Sequence, residues 1–266
     1  MTRHRYACLV LALGVALFPG CRGSRSQNEL TLAGSTSIQP FADKWAEVFM
    51  ARHPDLGVDV QGGGSSAGIQ ACKSGACQIG MSSRELKGDE KDFFEIVIAR
   101  DGLAIIVHPS NPVRGLQIAE VKQIFAGDLT SWKLLGGEDR PITVVTREEG
   151  SGTRGAFQEL VMGKTRIFRG AITEDSNGTV REIVAHDPAA IGFISLGLVN
   201  SQVRALALDR AEANDDNIRN GTYRLVRPFL FVSRGEPTGL AKEFVDFVLS
   251  DEGQALVQEE GLLPIK

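Results

Sequence analysis

Apolar and polar positions switch between two periods along this chain, and each switch marks a new element. "ELTLAGS" (29–35) alternates as a strand does and ends in a Gly-Ser turn. Phe41, Trp45, Val48 and Phe49 then recur at helical spacing, with Pro54 beyond the helix end. "GVDVQGGGS" (57–65) predicts a second strand, "SAGIQACKSG" (66–75) a short helix and "CQIGMSS" (77–83) a third strand. "GLAIIVHP" (102–109) is a continuous apolar run of the kind a buried strand carries. Helix spacing follows in "IAEVKQIFAGDL" (118–129), then strand alternation in "PITVVTRE" (141–148). "GSGTRGAFQELVM" (150–162) predicts a loop and a helix, and "NGTVREIVAHDP" (177–188) another helix. "AIGFISLGLV" (190–199) runs from strand to turn, and "RPFLFVSRG" (227–235) is a late strand. One or two helices close the chain over 239–261. Strand–helix alternation of this density predicts an α/β fold with mostly parallel sheets.

Four loops take the same place in that pattern. "GSTS" (34–37), "GGGSS" (62–66), "GMSS" (80–83) and "GSGT" (150–153) each follow a strand, and three of them open a helix. In open α/β sheets ligands bind beyond the carboxyl ends of strands. Backbone N–H groups at helix starts, with Ser and Thr hydroxyls, suit a small anion. A single such loop reads equally well as an ordinary cap, with Ser151 or Thr153 capping its own helix. Four at equivalent places point to a shared oxyanion crevice. Arg147, four residues before Ser151, supplies a guanidinium fork able to hold an oxyanion through two bonds. Arg154 stands in the first turn of the following helix and can face either the crevice or a neighbour. Asn177 and Thr179 open a further helix, where a cleft-facing role and a plain cap are both open.

The front of the chain is not part of that fold. Arg3, His4 and Arg5 precede a short apolar run from Leu9 to Phe18, in the layout of a signal peptide over residues 1–20. "LFPGC" resembles a bacterial lipobox, which would make Cys21 the acylated residue and membrane anchor, with Phe18 a departure from the pattern. A cleaved signal with an incidental cysteine is the alternative. The polar stretch 21–28 reads as a tether. Roughly 240 residues remain, enough for one large or two small domains.

The whole chain carries a net charge of −4. Arg3 and Arg5 lie in a leader without acids, so the remainder is at −6. That argues against a nucleic-acid surface, though not against a local site for a small anion. Cys72 and Cys77 are candidates for a disulfide across "CKSGAC", with two buried thiols as the alternative. Two cysteines without a nearby histidine do not make a zinc site, and no cofactor motif is present. Neither a P-loop nor a Gly-x-Ser-x-Gly elbow occurs, and no motif marks His53, His108 or His186 as a base. A binding protein rather than an enzyme is expected.

From about residue 30 onward the chain resembles the phosphate-binding protein of bacterial high-affinity phosphate ABC transporters. The resemblance rests on "AGSTSIQPFADKWAEVF", "GGGSSAGI", "IGMSSRELK", "TREEGSGTRGAFQEL", "SNGTVREIVAHDPAAIGFIS" and "RPFLFVSRGEPTGLAKEFVDFVLSDEGQ". It implies the two-lobed periplasmic-binding-protein fold of type II, with mostly parallel sheets joined by crossing hinge strands. Lobe 1 would hold 29–107 and 227–266, and lobe 2 would hold 108–226. It implies phosphate ligands at Thr36, Ser37, Ser65, Arg147, Ser151, Gly152 and Thr153, with Glu149 pairing with Arg147. Some members place an Asp where this chain has Ser83, and that carboxylate accepts the proton of hydrogen phosphate. Ser83 is therefore a ligand candidate that rejects sulfate less forcefully. The implied partners are inorganic phosphate and an ABC permease, for a monomeric, exported, lipid-anchored receptor. Sulfate, molybdate or tungstate binding, or a signalling or adhesive lipoprotein of the same fold, are the other readings.

Overall fold

The computed structural model describes residues 28–265. The expected leader (1–20), the candidate acylation site Cys21 and all of the expected tether except Asn28 lie outside the described residues. In the first half, β1 (Glu29–Gly34), α1 (Gln39–Arg52), β2 (Gly57–Gln61), α2 (Ser65–Ser74) and β3 (Ile79–Ser82) follow one another. A long strand β4 (Phe94–Val107) leads to β5 (Gly115–Leu116), α3 (Ile118–Ala126), β6 (Thr143–Arg147) and α4 (Gly152–Phe157). A π-helical turn, Gln158–Met162, extends α4. Then come β7 (Ile172–Glu174), α5 (Asn177–His186), β8 (Ala190–Ser195), β9 (Arg204–Ala205) and β10 (Ala207–Leu208). The chain ends with α6 (Asp215–Arg219), β11 (Val226–Ser233), α7 (Gly239–Val248) and α8 (Asp251–Glu259).

The main sheet runs β2-β1-β3-β11-β4-β8-β6-β7, with β9 on β4. β1 is parallel to β2 and β3, and β6 is parallel to β7 and β8. Antiparallel pairing in this sheet always involves β11 or β4: β11 with β3 and β4, and β4 with β8 and β9. β4 pairs with β11 up to Gly102 and with β8 from Leu103 onward. One strand thus serves both halves, and its change of partner falls five residues before the crossover expected near 107.

Each half has its own apolar core. Leu30, Leu32, Phe41, Trp45, Phe49, Phe231 and Phe244 pack together in the first. Phe125, Phe157, Phe193, Leu103 and Ile105 pack in the second. Burying each such side chain is worth about 1.5–3 kcal/mol. The first core is closed by the end of the chain. Trp45 meets Phe231 edge-on at 6.2 Å, and its Nε1 donates to the Gly253 carbonyl at 2.8 Å. In the second, Phe157 stacks on Phe193 with centroids 4.2 Å apart. Both cores hold the strand ends rigid, so the loops that leave those ends are fixed in space.

Candidate functional site

The four small-residue loops do meet. Ser35, Ser37, Ser65, Ser83, Ser151 and Thr153 are all buried, although every one is polar. Their burial is tolerable because they bond to one another. The Ser35 hydroxyl donates to Ser83 Oγ at 2.8 Å, and the Ser83 N–H donates to Ser65 Oγ at 3.1 Å. Ser37 Oγ and Thr153 Oγ1 lie 2.7 Å apart, joining the first loop to the fourth. The Ser66 N–H donates to the Gly150 carbonyl at 3.1 Å, a second bond across the same cleft. Gly152 is needed for this approach. A Cβ there would collide with the Ser65 hydroxyl and sit 2.6 Å from that of Ser83.

Ser151 serves as the N-cap of α4, its Oγ accepting from the Arg154 N–H at 3.2 Å. The capping reading and the site reading are therefore compatible, since the Ser151 proton remains available as a donor. Thr179 is a cap residue, within hydrogen-bond distance of Ser176, while Asn177 points into the cleft. Asn177 Nδ2 donates to Ser37 Oγ at 2.9 Å. Arg154 turns away and donates to the Arg147 carbonyl at 2.8 Å. Arg84 makes a two-pronged pair with Glu90, and its Nη2 reaches Ser66 Oγ at 3.3 Å.

Arg147 ends β6 and is 1% exposed. Its Nε donates to Glu148 Oε2 at 3.0 Å, and its Nη2 donates to Glu148 Oε1, to the Asp175 carbonyl and to Thr36 Oγ1 at 3.1, 2.8 and 3.2 Å. Its Nη1 is buried with no protein partner. A guanidinium with one nitrogen left over, beside the Thr36 hydroxyl where the loops meet, is arranged for an anion. Burial pushes the Arg147 pKa down, and the Glu148 carboxylate opposes that shift.

The acidic partner is Glu148 rather than the expected Glu149. The chain turns directly after β6, which places the first glutamate on the guanidinium. Glu149 is left 93% exposed, 3.9 Å from Arg154. Cys72 and Cys77 also differ from the expected disulfide: both are buried thiols, and a hydrogen bond with Cys77 brings Cys72 down to about 7. Among the described residues no cluster of His, Cys, Asp and Glu is placed to hold a metal, and no helix is long and apolar enough to cross a membrane.

Sequence reasoning missed one pair entirely. Arg227 of β11 stands opposite Asp101 of β4, and both are almost fully buried. Arg227 Nε donates to Asp101 Oδ2 at 2.8 Å, Nη1 donates to the Ser83 carbonyl at 3.2 Å and Nη2 donates to Ser37 Oγ at 3.2 Å. Asp101 Oδ1 also accepts from Ser195 Oγ at 2.7 Å. Burial raises the Asp101 pKa and lowers that of Arg227, while each partner's charge opposes the other's shift.

Two α/β halves crossed by paired strands, with buried donors converging between them, define a binding protein of the periplasmic type. The chain belongs to that superfamily: the PBP superfamily domain matches residues 22–252. Within it the chain falls among the PstS proteins. Phosphate-binding protein PstS of Bacillus subtilis is 37% identical over 247 residues, covering 91% of this chain and 82% of the relative. A solved structure from Clostridium perfringens, described as a phosphate ABC transporter substrate-binding protein with bound phosphate, is 42% identical with a TM-score of 0.87. It covers 90% of this chain and 100% of its own. An ABC-type phosphate transport receptor from Vibrio cholerae is 38% identical with a TM-score of 0.74, over 88% of this chain and 99% of its own.

Proposed function

We propose that the chain binds inorganic phosphate between its two halves and delivers it to an ABC permease. The buried Nη1 of Arg147, left over among hydroxyls from both sides of the cleft, is the observation that carries this reading. The phosphate-binding names of relatives above 35% identity support it. Thr36, Ser37, Ser65, Ser83, Arg147, Ser151, Gly152 and Thr153 form the site, and Glu148 balances the Arg147 charge.

The two halves close around the ion by bending where β4 and β11 cross, near Asp101–Gly102 and Val226–Arg227. Because contacts to both sides exist only when the cleft is shut, the ion favours the shut form. The permease would read that form, and the protein acts by binding rather than by catalysis. An acylated Cys21 would keep the receptor at the membrane it serves. Ser83 stands where some relatives carry an Asp, so sulfate is rejected only weakly. Calorimetric titration of phosphate-free protein, with sulfate, molybdate and tungstate as competitors, tests both points. Absence of phosphate binding at micromolar concentration refutes the function. Sulfate rejected more than about a thousandfold refutes the selectivity, since hydroxyls alone do not supply about 4 kcal/mol of discrimination.

A further inference from the structure

Ser37 is contacted from three sides, and the count of its lone pairs has a consequence. Its Oγ receives Arg227 Nη2 at 3.2 Å and Asn177 Nδ2 at 2.9 Å, and Thr153 Oγ1 lies 2.7 Å away. A hydroxyl has two acceptor sites and one proton. Two N–H donors occupy both acceptor sites, so the Ser37 proton can only be given away, and Thr153 Oγ1 takes it here until a bound ion competes for it. Arg227 itself cannot rotate away. Asp101 holds its Nε, the Ser83 carbonyl holds Nη1, and it sits over the Phe229 ring at 5.3 Å.

Resting on the phosphate reading, we propose that Arg227 is a positioning residue for the anion site. Held opposite Asp101 on the two crossing strands, it acts with Asn177 to fix Ser37 as a pure hydrogen-bond donor toward the bound ion. A serine free to rotate spends part of its time presenting a lone pair, which repels an anion oxygen. Fixing the rotor removes that competing orientation before the ion arrives. The same fork ties the donor to the place where the two halves join. Arg227 bonds Ser37 and Ser83 in the first half, while its Asp101 partner bonds Ser195 at the end of β8 in the second.

The test is a double-mutant cycle on the full mature chain, read by phosphate calorimetry. Arg227→Lys keeps a cation beside Asp101 but lacks the fork that reaches Ser37, Ser83 and Asp101 together. It should weaken phosphate binding about tenfold, the loss of one fixed hydroxyl donor to the ion. Ser37→Ala should cost at least about tenfold in the parent and less than about threefold in the Arg227→Lys background, because the fixed donor is already lost there. The charge-free pair Asp101→Asn with Arg227→Met repeats the cycle without a lone buried charge, should Lys disturb folding. Equal costs of Ser37→Ala in parent and variant backgrounds overturn the proposal, because a merely structural arginine gives additive effects. A parent chain that binds no phosphate overturns the functional reading itself. An additive cycle on a parent that does bind overturns only the role of Arg227.

Discussion

Arg147→Ala is the most direct test of how the cleft works. The substitution removes the buried Nη1, which has no protein partner, and with it a charge-assisted bond to the ion worth about 1.5–3 kcal/mol. It also strands Glu148, now a carboxylate without its cation at the edge of the site. Glu148 is 32% exposed, so solvent screens it, and its repulsion of the ion adds about 1 kcal/mol. Together these give about 3 kcal/mol, or roughly 150-fold in Kd. The side chain also serves the Glu174 and Asp175 carbonyls, so thermal unfolding must accompany the titration. Ligand that binds only the folded chain stabilises it by RT ln(1 + L/Kd), where L is the free ligand concentration, and so raises the melting temperature. The parent should therefore gain stability in millimolar phosphate, and the variant should gain much less at the same concentration. A folded Arg147→Ala protein that binds phosphate within threefold of the parent would mean that the ion lies elsewhere, whatever the loops look like.

Three further perturbations follow from the structure. Gly152→Ala should fold normally yet lose at least about tenfold in phosphate affinity, because its Cβ meets the Ser65 and Ser83 hydroxyls and wedges the cleft open; small-angle scattering should show no compaction on adding phosphate. The bond from Arg84 holds the Glu90 carboxyl below its ordinary value of 4.5. That contribution is complete above the unfolded pKa and is lost as pH falls through the folded one, so Glu90→Gln should cost about 1 kcal/mol, or 2–4 °C, at pH 7 and progressively less as the pH is taken further below 4.5. Phe193→Ala removes a ring stacked on Phe157 in the second core and should cost about 3–5 kcal/mol in a denaturant titration, with a smaller effect showing that the site collapses to fill the gap.

Much of the fold was legible because the signals that announce it are local. Strands announced themselves as alternating or continuous apolar runs, and the loops after them as clusters of Gly, Ser and Thr. β7, β9 and β10 have two or three residues each, too few for any period to show. The Arg227–Asp101 pair was hidden for a different reason. Its members are 126 positions apart, and only the antiparallel register of β11 on β4 sets them face to face. "RLVRPF" (224–229) reads as a crossover between the lobes, but nothing in it marks Arg227 as the partner of Asp101 until that register is known. Glu148 and Glu149 could not be told apart because the choice between neighbours depends on the direction of a turn that composition does not encode. Asn177 stood at a helix start, where caps are common. Its orientation toward Ser37 is set by α5 docking beside β6 and β8.

The first core takes its strands from both ends of the chain, and this governs how the molecule comes into being. Trp45 has no complete surroundings until Phe231, Phe244 and Gly253 have been made, some two hundred residues later. The second half, from Leu103 to Leu225, is contiguous and holds all of its large aromatic partners within itself. Apart from Leu263, its buried core is synthesised while the opening segment still waits as exposed apolar chain, a condition that invites aggregation. A stop codon just before β11 would leave β3 without one of its two neighbours, and the ribosome would release a product whose first hemisphere never closes.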